Sequence, residues 1–158
     1  MNPQVRPEQG EAFAVEVTAV RLLAGREHSR RELCRKLSGR YSDTDLIASV
    51  LDDLQRRDLV SDERFAANYI DQRIRKGYGP LRIRAELAER GVSGELASVC
   101  LDEGEYDWAE LLAAAAVRKF GESPVSDRRE LARRGRFLEQ RGFPLGLVGR
   151  YLDRVRDF

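Results

Sequence analysis

The stretch RYSDTDLIASVLD, residues 40–52, has two further related copies in this chain, and the repetition decides the fold. The second copy is RGVSGELASVCLD at residues 90–102, and the third is RGFPLGLVGRYLD at residues 141–153. In each copy an arginine stands eleven residues before a Leu-Asp pair, and a leucine occupies the same internal position. A period of about fifty residues is typical of a chain built from repeated structural units.

The apolar residues of the first copy have helical spacing. They recur at intervals of one, three and four residues, which places them on one stripe of an α-helix. These residues are Leu46, Ile47, Val50, Leu51 and Leu54. The pattern predicts helices throughout the repeat, and no part of the chain requires a strand.

Residues that favour helix starts place a further helix in front of the first two copies, whereas the third copy is the most divergent and matches only from Leu138 onward. Ser29 and Glu32 have the spacing of a capping box, and fifty residues later Gly79 and Pro80 stand at the equivalent of Ser29 and Arg30. We therefore predict an all-α protein. The expected helices lie near residues 12–25, 29–39, 43–57, 61–76, 80–90, 93–103, 105–120, 127–141 and 144–156.

Three helices per unit suggest three tandem three-helix repeats. A unit of about fifty residues buries little core by itself, so neighbouring units should share apolar surface. We expect an elongated, solenoid-like module that can curve. The predicted boundaries are a flexible N-terminal tail at residues 1–11, repeat 1 at 12–60, repeat 2 at 61–104 and repeat 3 at 105–158.

The composition argues against several classes of function. The chain has 158 residues, 35% of them charged, but its formal net charge is only +1, so any attraction to nucleic acid must be local. Two cysteines and one histidine are too few for a disulfide framework or an ordinary zinc site. No signal-peptide core or membrane-spanning run is apparent, and we expect a cytoplasmic protein without cofactors.

Catalytic motifs are missing from the sequence as well. It contains no phosphate-binding Gly-x-x-x-x-Gly-Lys loop and no Gly-x-Ser-x-Gly elbow. A catalytic triad would have to use His28, which precedes the helix start at Ser29. We therefore expect a binding protein rather than an enzyme.

Charge alternates along the chain in step with the repeat. Residues 21–40 hold seven basic and two acidic side chains, whereas residues 41–63 hold two basic and seven acidic ones. Residues 64–90 hold seven basic and three acidic side chains. Residues 91–117 hold six acidic side chains and no basic one, and residues 118–141 hold eight basic and four acidic side chains. The pattern favours a basic stripe along one side of the molecule, although any solvated helix face also carries charges.

Arginine outnumbers lysine 25 to 3 in this chain, and its planar guanidinium pairs well with phosphate or carboxylate groups. The densest basic group lies at residues 73–84, and a second one lies at the start of the second helix. The candidate binding residues are Arg30, Arg31, Arg35, Arg73, Arg75, Lys76, Arg82 and Arg84. Tyr78, in the turn between them, either covers apolar surface or stacks on a base.

Four motifs in this order resemble the RecX family of regulators of the bacterial RecA recombinase. They are SRRELCRKL (29–37), SDERFA (61–66), GYGPLRIRAEL (77–87) and RFLEQRGF (136–143). The likeness extends over residues 17–153. This chain departs from the family pattern at Asp58, where the family often has a helix-ending glycine, and residues 121–127 are not diagnostic.

The resemblance implies three tandem three-helix units and an activity without catalysis. Proteins of this family bind the RecA nucleoprotein filament, lie in its helical groove, and restrain ATP hydrolysis, strand exchange and co-protease function. The implied partner is the RecA filament, with single- or double-stranded DNA as a further candidate, and we expect a monomer. Two alternatives remain open from the residues alone, namely a helical-repeat DNA-binding protein that uses phosphate contacts and a structural adaptor for another protein.

Overall fold

A computed structural model describes residues 6–103 and 105–158, and within these residues the chain forms nine α-helices. The all-α prediction is confirmed. The helices are α1 (Pro7–Gly25), α2 (Arg30–Ser38), α3 (Thr44–Arg56), α4 (Asp62–Arg75), α5 (Pro80–Glu89), α6 (Gly94–Glu103), α7 (Trp108–Phe120), α8 (Arg128–Gln140) and α9 (Leu145–Val155).

Two helices begin three or more residues away from the expected start. Helix α1 begins at Pro7, so residues 7–11, which we placed in a flexible tail, are helical; residues 1–5 lie outside the described part of the chain. A proline is well suited to the first helical position because the amide hydrogen it lacks would have no partner there. Helix α7 begins at Trp108 rather than at residue 105, because the Asp107 side chain caps it by accepting from the Glu110 amide at 3.0 Å.

Asp58 ends the α3 turn in the manner of a glycine. Its φ is 57°, in the left-handed region that non-glycine residues rarely adopt. The amide of Leu59 donates to the carbonyl oxygen of Leu54 at 2.9 Å, which is the long bond of a Schellman-type helix end. The turn thus forms with aspartate at this position, and aspartate is among the residues that tolerate this conformation best.

The chain divides into two compact units. The first consists of the described residues up to Ala66 together with Arg90–Val92, and the second consists of Ala67–Glu89 and Ser93–Phe158. The division between them falls within α4, after Ala66. The first turn of α4 belongs to the first unit because Asp62 accepts from the Arg30 amide at 2.8 Å, and Arg64 pairs with Glu27 at 2.5 Å.

Each unit has its own apolar core. In the first unit α1, α2 and α3 pack on one another around a core of Val15, Ala19, Leu33, Leu37, Ile47, Val50, Leu51, Leu54 and Val60. Leu46, also expected from the repeat, is partly buried against this core. In the second unit α5 packs on α6, while α7, α8 and α9 pack around a separate cluster. The buried residues of that cluster are Leu112, Ala115, Ala116, Leu138, Phe143, Val148 and Tyr151.

The residue that caps the second helix of a repeat contacts the arginine that opens a later copy. In the first unit the Ser29 hydroxyl donates to the carbonyl oxygen of Arg90 at 2.6 Å, and the same side chain caps α2 by accepting from the Glu32 amide. In the second unit the Gly79 amide donates to the carbonyl oxygen of Arg141 at 2.7 Å. A contact between a helix-capping residue and the carbonyl oxygen of a later arginine thus occurs twice in the chain, once from a side-chain hydroxyl and once from a backbone amide.

Glycine follows the arginine at both of these contacts. Gly91 and Gly142 have φ values of +83° and +93°, and a Cβ atom on either would collide with the side chain of Arg31 or Arg82, respectively. The first copy has Tyr41 at this position instead. The Tyr41 hydroxyl donates to the carbonyl oxygen of Ala14 in α1 at 3.2 Å.

We expect the Gly79→Ala substitution to destabilise the protein by about 2 kcal/mol, because overpacking against rigid backbone cannot be relieved by a rotamer change. A Cβ at Gly79 would lie 2.5 Å from the carbonyl oxygen of Gly142. Urea unfolding followed by circular dichroism measures the change. The matched control is Gly149→Ala in α9, where no atom lies within 4 Å and alanine should stabilise by about 0.5–1 kcal/mol. Equal stability of the two variants would contradict the close approach.

Candidate functional site

Helix α2 carries the exposed cations of the first unit. Arg31 and Arg35 are exposed, and neither has a carboxylate partner among the residues the structure describes. Arg30 differs, because its guanidinium pairs with Asp52 at 2.7 Å and donates to the Gln55 side chain at 2.9 Å. Of the three cations predicted here, two are available to a partner and Arg30 links α2 to α3.

His28 fixes a fourth cation of α2. Its Nε2 lies 3.1 Å from the Lys36 ammonium, and its Nδ1 lies 3.0 Å from the carbonyl oxygen of Arg26. Since an ammonium can only donate, Nε2 accepts and Nδ1 carries the proton that is donated to Arg26. Burial lowers the pKa of His28 further than the backbone hydrogen bond raises it, and the charges of Arg26 and Lys36 act in the same direction as burial.

The low pKa of His28 predicts a loss of stability on mild acidification. The folded state favours neutral His28, so unfolding takes up a proton once the pH falls below the ordinary value of 6.5. Stability is fully present above that value and declines below it, with a slope of at most about 1.4 kcal/mol per pH unit. Urea unfolding between pH 5.5 and pH 8 should show this decline in the wild type.

His28→Gln supplies the control for this measurement. The glutamine amide can still accept from Lys36, but it does not titrate. Its stability should be flat over the same range of pH. An equal decline in both proteins would show that another group is responsible.

Glu86 organises the cations of the second unit. Its carboxylate accepts from the Tyr69 hydroxyl at 2.8 Å, from the Arg73 guanidinium at 2.6 Å and from Arg82 at 3.2 Å. Glu86 and Arg73 each expose only 16% of their side chains. Arg73 and Arg82, both predicted to bind a partner, are therefore held by an internal carboxylate.

Tyr78 lies among arginines. The guanidinium carbons of Arg73, Arg82 and Arg141 are 3.9, 4.2 and 4.7 Å from the centre of its ring. Such cation–π contacts hold planar guanidinium groups against the ring. These contacts with arginines are neither of the two roles considered for Tyr78, and stacking on a base stays a prediction.

The pKa values in this cluster reflect the ion pairs. Burial would raise the pKa of Glu86, but the hydrogen bonds from Tyr69, Arg73 and Arg82 outweigh it and hold the pKa below its ordinary value. Burial would likewise lower the pKa of Arg73, but the hydrogen bond and charge of Glu86 raise it. The carboxylate and the guanidinium are thus both charged at neutral pH.

We expect Glu86→Gln to lower the free energy of unfolding by about 2 kcal/mol at pH 7, because hydrogen bonds to a charged acceptor are lost. Since folding depresses the pKa of Glu86, its contribution is present above about 4.5 and is lost as the pH falls through the folded-state pKa. Wild type and variant should therefore converge in acid. Glu89→Gln, an exposed position on the same helix, should change stability by less than about 0.5 kcal/mol. A constant difference at every pH would contradict this role of Glu86.

The remaining predicted cations of the second unit fall into two groups. Arg84 donates to the Ser98 hydroxyl, which ties α5 to α6. Arg75 and Lys76, at the C-terminal end of α4, are exposed and have no carboxylate partner within residues 6–103 and 105–158. Of the predicted cations in the second unit, only Arg75 and Lys76 are therefore available to a partner, as Arg31 and Arg35 are in the first unit.

Lys76 shares a cleft with three cations that the sequence did not single out. The cleft is lined by Lys76, Gly77, Ala115, Arg118, Lys119, Phe137 and Arg141. The excess of basic residues in the segment 118–141 was visible in the sequence, but nothing there indicated that it meets the end of α4. The described residues contain no cluster of histidine, cysteine or acidic side chains suited to a metal ion.

These observations define the class of the protein: it is an all-helical protein that presents exposed arginines and lysines without a carboxylate partner in both of its units. Family models for the first, second and third three-helix domains of RecX match residues 17–54, 61–101 and 105–152, respectively. The chain belongs to the RecX family. The resemblance inferred from the four sequence motifs is thereby confirmed.

Relatives in several bacteria agree over most of the chain. Regulatory protein RecX of Pseudomonas savastanoi pv. phaseolicola is 45% identical over 140 residues, which is 89% of this chain and 90% of the relative. That of Pseudomonas syringae pv. tomato is 46% identical over 141 residues, with the same coverage. That of Halorhodospira halophila is 42% identical and covers 82% of this chain and 81% of its own length. Membership of this family gives the chain a regulatory role.

Solved structures share the fold at low sequence identity. The crystal structure of RecX from Lactobacillus salivarius is 19% identical, has a TM-score of 0.79, and covers 92% of this chain and 97% of its own. A second crystal structure, of a regulatory protein RecX, is 21% identical with a TM-score of 0.74 and covers 96% and 81%. The three-helix units expected from the repeat are thus the fold of this family. In the described residues no helix is long and apolar enough to cross a membrane.

Proposed function

We propose that this protein is a non-catalytic regulator of homologous recombination and DNA repair that binds in the groove of the RecA–DNA filament. Bound there, it inhibits ATP hydrolysis, strand exchange and the co-protease function of the filament. The observation that carries the proposal is the family match, which extends through all three three-helix domains. The proposal includes a cytoplasmic location, a monomeric protein and no cofactor.

The distribution of charge supports binding to a filament. Arg31 and Arg35 in the first unit, and Arg75 and Lys76 in the second, are exposed and lack carboxylate partners in the described part of the chain. A nucleoprotein filament offers DNA phosphates and acidic side chains repeatedly along its length. Each exposed ion pair contributes less than about 1 kcal/mol, but contacts made by one body add through effective concentration.

This set differs from the full group of candidates drawn from the sequence. Arg30, Arg73 and Arg84 join helices through Asp52, Glu86 and Ser98, respectively. Arg82 pairs with Glu86 within α5 and donates to the carbonyl oxygen of Gln140 at the end of α8, so replacing any of the four would disturb the fold along with any binding. The proposed binding set therefore consists of Arg31, Arg35, Arg75 and Lys76. Substitution of these residues leaves the internal ion pairs intact.

The test is ATP hydrolysis by RecA recombinase on single-stranded DNA, with this protein titrated in below the recombinase concentration. Wild type should inhibit at such ratios, because one bound copy restrains neighbouring recombinase subunits. Changing Arg31, Arg35, Arg75 and Lys76 to glutamine should raise the half-inhibiting concentration at least about tenfold, the loss of about 1.4 kcal/mol of binding spread over four contacts.

A variant with the same loss of charge provides the control. Arg21, Arg40, Arg129 and Arg150 are exposed, two in each unit, and have no carboxylate partner among the described residues. Their replacement by glutamine should leave inhibition unchanged. Equal weakening of inhibition by both variants would show that only the net charge of the protein matters. If inhibition appeared only when this protein was in excess over the DNA, competition for DNA would be favoured over action on the filament.

A further inference from the structure

The cationic cleft of the second unit is a candidate ligand site in its own right. It lies where α4 ends, and its walls come from α7 and from the end of α8. Four of its seven lining residues are cations, and no lining residue is acidic. Its volume of about 200 Å³ is smaller than that of a typical small-molecule pocket and suits a single compact anionic group.

Backbone contacts hold two of these cations in place. Arg118 donates through Nη1 to the carbonyl oxygen of Arg75 at 2.9 Å, and Arg141 donates through Nη1 to that of Lys76 at 3.1 Å. Each guanidinium has five N–H donors, so these contacts occupy a small part of its capacity. Arginines fixed in this way lose little further side-chain freedom when a ligand binds.

Capping of α4 accounts for only part of this arrangement. Cationic side chains commonly satisfy the free carbonyl groups at a helix C-terminus, and Arg118 and Arg141 do so here. The two lysines of the cleft, Lys76 and Lys119, make no such contact and have no carboxylate partner among the described residues. Four like charges around one small volume repel one another, which an anion would relieve.

Phe137 contacts cations at the cleft. The guanidinium carbon of Arg141 lies 4.9 Å from the centre of its ring, and the Lys119 ammonium lies 5.8 Å from it. The ring of Phe120 meets it edge-on at 5.2 Å. The cleft therefore presents charge and hydrogen-bond donors, and nothing in it selects one base over another.

We infer that this cleft binds a phosphate group, either of a nucleic-acid backbone or of a free phosphate compound, without regard to sequence. A tetrahedral phosphate offers acceptor oxygens in several directions and can meet two guanidinium groups and two ammonium groups at once. A carboxylate has two oxygens in one plane and is satisfied by a single guanidinium fork. The inference adds a ligand site to the proposed regulator, and its test contains no recombinase, so the two proposals can fail separately.

The test measures binding of a fluorescein-labelled twelve-nucleotide oligo-dT by anisotropy over a series of salt concentrations. Lys76→Gln combined with Lys119→Gln should weaken binding about tenfold at low salt and reduce the slope of log affinity against log salt by about 0.7, the value for one phosphate contact on a single strand. The control pair is Arg129→Gln with Arg150→Gln, which removes the same charge from the same unit outside the cleft. Lys76→Arg with Lys119→Arg should retain binding.

Competitors identify the source and chemistry of the anion. Inorganic pyrophosphate and thymidine monophosphate test a free phosphate, and an oligoglutamate peptide tests a carboxylate. Displacement of the oligonucleotide by pyrophosphate from the wild type, but not from the lysine variant, would assign the cleft to phosphate in general. Loss of oligonucleotide binding in the lysine variant without competition by pyrophosphate would assign it to the nucleic-acid backbone.

Three results would overturn the inference. The first is equal weakening by the lysine pair and the arginine pair, which would show diffuse attraction. The second is the absence of binding of either phosphate probe to the wild type at low salt. The third is displacement by oligoglutamate at the same charge concentration as pyrophosphate, which would make the cleft a carboxylate site. Thermal unfolding of each variant, followed by circular dichroism, establishes that all are folded when compared.

Discussion

The hydrogen bond between a helix-capping residue and the carbonyl oxygen of a later arginine is the contact on which the rest of the structure depends. It occurs from Ser29 to Arg90 and from Gly79 to Arg141, at 2.6 and 2.7 Å. The donor is the Ser29 hydroxyl in the first case and the Gly79 amide in the second. Next to each bond, a Cβ on Gly91 or Gly142 would collide with Arg31 or Arg82, so glycine follows each of the two arginines. The positions of α2 and α5, and therefore of the arginines they carry, follow from these contacts.

Internal ion pairs decide which of the many arginines can meet a partner. Although the net charge is only +1, the chain contains two kinds of cation. Those near Asp52 or Glu86 stabilise their unit, and those on the outer part of α2 or at the end of α4 remain available. A protein with this arrangement can present local positive charge and still avoid indiscriminate attraction to every polyanion.

The sequence predicted the helices well because their apolar spacing and caps are local properties. Leu46, Leu51 and Leu54 define a stripe within three turns, and Ser29 with Glu32 defines a cap within four residues. The early start of α1 was missed because Pro7 reads equally well as a loop residue. Side-chain partners could not be predicted in the same way: Glu86 selects Arg73 and Arg82, and Arg118 meets the end of α4, through packing between helices. The sequence therefore predicted the regions that carry candidate binding cations. Which of these cations are exposed and which are paired within the protein could be seen only from the three-dimensional contacts.

The residue after the opening arginine distinguishes the first copy of the repeat from the other two. Gly91 and Gly142 leave room for an arginine side chain, whereas Tyr41 fills the same position and bonds to α1, a helix outside the repeated sequence. The copies are consequently not interchangeable modules. The residue after the opening arginine has to fit the side chain or helix that each copy packs against. A duplication or exchange of copies during evolution would therefore have required a substitution at this position before the new arrangement could pack.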